Sequence, residues 1–156
     1  KKGSEYNRNI YLRNHKKLRP GEVGCLLSHQ NILKDAIKNK YNKILILEDD
    51  ILFHSDFHNE FNKKYKYLIE KENNYDLLYL GGHQKHKWKN IKVNNYYYKS
   101  DKILGTFAMI IDKNIFNLIL EKSNKFDAPI EVIIASRRRG GNGKLYAIWA
   151  SSSGMR

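Results

Sequence analysis

The sequence predicts an α/β layered domain with a largely parallel sheet flanked by helices. Three observations carry this expectation. Apolar residues recur at helical spacing from Gly24 to about Lys38 and again from Phe57 to Ile69. Short unbroken apolar runs, Ile44-Leu45-Ile46-Leu47 and Leu77-Leu78-Tyr79-Leu80, alternate with those stretches and suit strands covered on both faces. Asn, Gly and Pro clusters separate the blocks, as turn residues do.

The elements follow in order. Residues 1–18 are polar and basic apart from Ile10-Tyr11-Leu12, and read as a lead-in loop. Pro20-Gly21-Glu22 starts the first helix, because proline fits a first helical position. Its apolar face is Cys25, Leu26, Leu27, Ile32, Leu33, Ala36 and Ile37. Asn39 to Asn42 end it, and the Ile44–Leu47 strand follows. Ser55 or Asp56 is placed to cap a second helix with Phe57, Phe61, Tyr65, Leu68 and Ile69 inward. Asp76 to Leu80 forms a second strand, ended by Gly81-Gly82. His83 to Lys102 shows no period and reads as a long loop. Thr106 to Ile111 is a third strand, Asp112 caps a helix, and Pro129 opens a short one. Lys144 to Trp149 is a last strand before a small-residue tail at 150–156. The whole, 1–156, is expected to form one domain.

The 156 residues are enough for a real core, and 41% of them are apolar, so disorder is excluded as a description of the chain. No apolar run approaches the ~20 residues that span a bilayer, and no apolar leader is visible. Cys25 is the only cysteine, which excludes an internal disulfide and a cysteine-based zinc site. The expected compartment is cytoplasmic, or peripheral to a membrane. The net charge is +13, but the lysines are spread along the chain and accompanied by abundant Asn, Ile and Tyr. That pattern fits an AT-rich genome better than a nucleic-acid-binding face, and a basic surface also attracts anionic small molecules.

Glu48-Asp49-Asp50 directly follows the first strand. Open α/β sheets bind ligands at the carboxyl ends of their strands. Three adjacent carboxylates repel one another unless a cation compensates, and Mg²⁺ or Mn²⁺ would suit their oxygens. A solvated acidic turn explains the same triplet, and the strand context leaves both readings open.

Pro20-Gly21-Glu22-Val23-Gly24-Cys25-Leu26-Leu27-Ser28-His29 resembles the signature of glycosyltransferase family 25, which includes lipooligosaccharide and procollagen galactosyltransferases. The acidic strand end, the strand Asp76 to Gly82, the segment Gly105 to Ile111 and Pro129-Ile130-Glu131 resemble further family segments, in the family's order, over roughly residues 18–150. The resemblance implies a GT-A-like nucleotide-diphospho-sugar fold and an inverting, metal-dependent hexosyltransferase. On it, Asp50 binds Mn²⁺ (or Mg²⁺) directly, Asp49 shares the ion, and Glu48 lies near the ribose or the sugar. Ser28, His29, Gly81 and Gly82 would contact a UDP-sugar donor. The acceptor would be a hydroxyl on a glycan, a lipooligosaccharide or a glycoprotein.

Glu131 matches the family's acidic residue after Pro-Ile and is the candidate general base, although a first-turn carboxylate is also favoured by the helix dipole alone. His29 between apolar neighbours equally suits a core position. Tyr96-Tyr97-Tyr98 and Trp88 could stack on sugars or simply pack, His83 and His86 could be solvated, and Arg137-Arg138-Arg139 could bind diphosphate or water. The family's opening strand has no counterpart here, and no His follows His86 to serve as a late metal ligand. A catalytically silent binder of sugar nucleotides or of a protein is the alternative.

Overall fold

The computed structural model describes residues 18–72, 74–83, 90–100, 103–136 and 144–148. The element order is α1 (Pro20–Lys38), β1 (Lys43–Leu47), α2 (Phe57–Lys71), β2 (Leu77–His83), β3 (Asn90–Lys92), β4 (Tyr98–Ser100), β5 (Leu104–Asp112), a 3₁₀ turn (Lys113–Ile115), α3 (Phe116–Ser123), α4 (Ile130–Ser136) and β6 (Leu145–Ala147).

Among the described residues, six strands form one sheet in the order β1-β5-β2-β6-β4-β3. The expectation of a mostly parallel sheet is corrected here. Among the described strands only β2 and β6 pair in parallel, and the other pairings are antiparallel. The reason is β5, which inserts between β1 and β2 and runs against both. Continuous apolar runs report cover on two faces and carry no information about strand direction. The mixed α/β layering itself is as the sequence implied. Because β1 and β2 both oppose β5, their carboxyl ends lie at the same end of the sheet.

The sheet alternates strictly in what it buries. Leu77 and Tyr79 of β2, Met109 and Ile111 of β5, and Leu145 and Ala147 of β6 join a core with α1, α3 and α4. Their neighbours Leu78, Leu80, Ala108, Ile110, Tyr146 and Ile148 join a second core under α2. This period of two is the strand's own geometry.

β1 departs from the expected double burial. Among the described strands it lies at the sheet edge, and only its Ile46 is fully buried, with Leu45 50% and Leu47 42% exposed. Within the stretch read as one long loop, Asn90–Lys92 and Tyr98–Ser100 pair as a hairpin that β6 joins to the sheet. Tyr96 stacks on Tyr67 with ring centroids 4.4 Å apart, and Tyr97 is buried in the core under α2.

α1 begins where the sequence requires. Arg19 is extended (φ −77°, ψ 158°), as the residue before proline prefers, and Pro20 needs no amide donor at the first position. Glu22 reaches back to accept the Arg19 N–H at 2.6 Å and its guanidinium at 3.0 Å. Val23, Leu26, His29, Gln30, Leu33 and Ala36 form the buried stripe. Gln30 donates to Ser123 Oγ at 3.1 Å and Asn124 Oδ1 at 3.2 Å, which ties α1 to the end of α3. Asp112 caps the 3₁₀ turn by accepting the Asn114 N–H at 3.0 Å, and it also pairs with Lys43 across the β1–β5 ladder.

Candidate functional site

The carboxyl end of β1 opens into a cavity of about 280 Å³ between α1, β5 and α4. Arg19, Glu22 and Cys25 of the α1 region, Glu48, Gly105-Thr106-Phe107 of β5 and Pro129-Ile130-Glu131 line it. Residues distant in the sequence are brought together here because α1 and α4 pack on the same sheet face beside β1 and β5.

Glu48 is the best-fixed acid. Its N–H donates to the Phe107 carbonyl at 2.8 Å, extending the β1–β5 ladder by one residue. Its Oε1 accepts a short hydrogen bond from the Thr106 hydroxyl. Thr106 is only 5% exposed, so that bond is shielded from water. Asp49 and Asp50 follow in a turn and are exposed, and no ion pair among the described residues uses either. Glu131 sits in the first turn of α4, half-buried, on the wall of the same cavity.

The field of these acids is felt by their neighbours. Burial, and then the negative charges of Glu48 and Glu131, push the Cys25 thiol up, so it is a neutral wall group. Burial pushes the Tyr79 hydroxyl up, reinforced by Glu131. At the mouth, hydrogen bonds from Arg19 hold the Glu22 carboxyl below the usual carboxylate range.

A metal ion here would find hard oxygen donors of the type that Mg²⁺ and Mn²⁺ prefer. Among the described residues no three His, Cys, Asp or Glu side chains gather into a ready cage. Asp49 and Asp50 could supply the one or two carboxylates such an ion would need if a ligand's phosphates completed its shell.

Ser28, His29 and Gly81 do not line this cavity. Ser28 is exposed and donates its hydroxyl to the Gly24 carbonyl at 3.0 Å. His29 is 4% exposed and its Nδ1 donates to the Cys25 carbonyl at 2.9 Å, leaving Nε2 without a partner among the described residues. Gly81 is aligned with Ala108, which is aligned with Leu47, so it stands two strands across from the end of β1, beside irregular register. Gly82 and His83 end β2. His86, Trp88 and Arg137-Arg138-Arg139, with the lead-in and the tail, lie outside the described residues.

Three wall elements are not evident from the sequence: Thr106 as the partner of Glu48, the Gly105–Phe107 pair, and Arg19. The resemblance covered Gly105 to Ile111, but no spacing rule links Thr106 to an acid 58 positions earlier. Gly105 carried one readable signal, since a glycine at a strand's start often marks special backbone. Its φ is +95°, and a Cβ placed there would meet Phe107 Cε2 at 2.4 Å.

A sequence model of glycosyltransferase family 25, described as an LPS biosynthesis protein family, matches residues 2–134. Human inactive glycosyltransferase 25 family member 3 is 34% identical over 67 residues, 43% of this chain and 11% of that protein. Human procollagen galactosyltransferase 2 is 33% identical over 61 residues, 39% of this chain and 10% of that protein. The procollagen lysyl hydroxylase and glycosyltransferase of Acanthamoeba polyphaga mimivirus is 32% identical over 107 residues, 64% of this chain and 12% of that protein. The match thus spans 10% to 12% of the length of these relatives. Among the described residues no helix is long and apolar enough to cross a membrane.

Proposed function

This chain belongs to glycosyltransferase family 25, and from that premise we propose that it carries residues of an inverting, metal-dependent transferase site that takes a hexose from a UDP-sugar to an acceptor hydroxyl. The observation that carries the proposal is the convergence of Glu48 and Glu131 on one cavity, with Asp49 and Asp50 just outside it.

The dimensions support a division of labour. Ligand pockets for drug-sized molecules hold roughly 300–1,000 Å³. A cavity of about 280 Å³ lies just below that range, a size that suits a monosaccharide. Asp49 and Asp50, at that exposed margin, would hold Mn²⁺ or Mg²⁺. The ion's contribution would be to offset the charge that grows on the leaving diphosphate. Glu48 would accept a hydrogen bond from the donor. Glu131 would take the proton of the acceptor hydroxyl as its oxygen bonds to the anomeric carbon, while the bond to the diphosphate breaks and its electron pair leaves with the nucleotide. A single displacement of this kind inverts the anomeric configuration.

Names of the relatives favour galactose as the sugar, with glucose or N-acetylglucosamine as alternatives. The acceptor classes they and the family description suggest are a collagen-like glycoprotein and a lipooligosaccharide glycan. The test is a screen of UDP-sugars with and without Mn²⁺, following release of nucleoside diphosphate. Mn²⁺-dependent release from one donor is the expected result, and no release from any of them sinks the proposal.

A second reading, a catalytically silent binder, is favoured by one observation: a relative at 34% identity is itself named inactive. It predicts saturable binding of a UDP-sugar with no release in the same screen.

A further inference from the structure

The carboxylate of Glu48 is held asymmetrically. Its backbone is locked by the bond to the Phe107 carbonyl, and its Oε1 is taken by Thr106. Oε2 has no partner among the described residues, although Glu48 lines the cavity. The Thr106 hydroxyl is buried, and it stands next to Gly105, a strand glycine at φ +95° over which the Phe107 ring packs. The hydroxyl that pins the rotamer therefore belongs to strand β5 rather than to a loop. Arg19 lines the same cavity but is engaged by Glu22, so the nearby cation does not compete for Glu48. A carboxylate with one oxygen fixed and the other open presents a single, directed acceptor. That suits an O–H donor on a ligand.

We propose that Thr106 is a positioning residue: it pins Oε1 of Glu48 so that Oε2 accepts a hydrogen bond from a hydroxyl of the bound nucleotide sugar. This rests on the donor reading above. Two hydroxyl sources share the chemistry, the ribose and the transferred hexose. Substituting Thr106 frees the carboxylate to rotate and costs affinity without removing the charge.

The experiment is isothermal titration of UDP and of UDP-galactose, each in Mn²⁺, into the wild-type protein and the variants Thr106→Val and Thr106→Ser. Valine keeps the shape and loses the donor, and serine keeps the donor. The expected result is affinity about tenfold weaker in Thr106→Val, as for loss of an oriented charge-assisted bond. Thr106→Ser should stay within about twofold of wild type. A loss shared by UDP and UDP-galactose assigns the ribose hydroxyl, and a loss confined to UDP-galactose assigns the hexose. Wild-type affinity in Thr106→Val overturns the proposal, and so does an equal loss in the valine and serine variants, which marks packing instead. If the wild-type protein binds neither probe, the donor reading fails first and takes this one with it.

Discussion

The Tyr146 hydroxyl donates to Glu72 Oε2 at 2.6 Å, and Tyr97 holds the other oxygen of that carboxylate at 3.2 Å. The two rings meet edge to face with centroids 5.4 Å apart. One acid at the end of α2 thus satisfies two buried hydroxyls, from β6 and from the residue before β4. Leaving a buried hydroxyl unsatisfied costs roughly 1–3 kcal/mol. Glu72→Ala is expected to lower stability by about 2–4 kcal/mol in urea unfolding. Glu72→Gln, which keeps a carbonyl acceptor, should lose less.

The same clamp sets a response to alkali. Burial first, and then Glu72, push Tyr97 up to about 12, and burial and Glu72 likewise push Tyr146 upward. An unfolded tyrosine titrates near ~10. Below that pH both states hold the proton, so the contribution is fully present. As pH rises from about 10 toward 12 the unfolded state releases protons that the folded state keeps, and stability falls. Unfolding free energy should decline over this window, and less steeply in Tyr97→Phe.

Much of this architecture was legible because local rules set it. Proline at the start of α1, the apolar periods of α1 and α2, and the Asp112 cap follow from adjacent residues. Strand direction was not legible, since Ile44–Leu47 and Leu77–Leu80 read the same whichever way β5 runs between them. The edge position of β1 escaped for a related reason: Leu45 and Leu47 carry the composition of buried strand residues while standing half-exposed. At the site, Glu48 and Glu131 stood out in the sequence as acids, but their shared cavity did not, because it depends on how α4 packs against β5. Thr106 lacked any signal, since a threonine in a strand is ordinary until its partner is known.

Tyr79 offers the opposite case to Tyr146. It is 1% exposed and its hydroxyl has no partner among the described residues. Removing an unpaired buried hydroxyl relieves a desolvation cost while keeping the ring's packing. Tyr79→Phe is therefore expected to match or exceed wild-type stability, by up to about 1 kcal/mol. Tyr146→Phe should be destabilising. Thermal melts of the two variants side by side check the contrast, and a large loss in Tyr79→Phe would reveal a partner for that hydroxyl.

Gly105 is intolerant for two independent reasons. Its φ of +95° is strained for any residue with a Cβ, and the added carbon would lie 2.4 Å from Phe107 Cε2 and 2.8 Å from Cζ. The ring must move, and it lines the cavity. Gly105→Ala is expected to cost about 1–3 kcal/mol in stability, and it should also weaken UDP-galactose binding. A variant with unchanged melting and binding would mean that this end of β5 is far more pliable than its contacts suggest.

Asp50 and Glu131 separate two roles that a simple loss of activity would merge. Asp50 is exposed, so Asp50→Ala should leave melting within about 0.5 kcal/mol of wild type. Under the proposed function it abolishes Mn²⁺-dependent release of UDP and weakens Mn²⁺-dependent donor binding as well. Glu131→Gln removes a proton acceptor but keeps the shape of the cavity wall. It should reduce kcat by 100-fold or more, in the range of about 10²–10⁴ typical of a general base, with donor affinity nearly unchanged. The diagnostic quantity is the split between the two variants in kcat and in donor Kd. Strong loss of donor binding in Glu131→Gln would assign that carboxylate to the donor rather than to the acceptor's proton. Undiminished turnover in Asp50→Ala would remove the metal from this turn altogether.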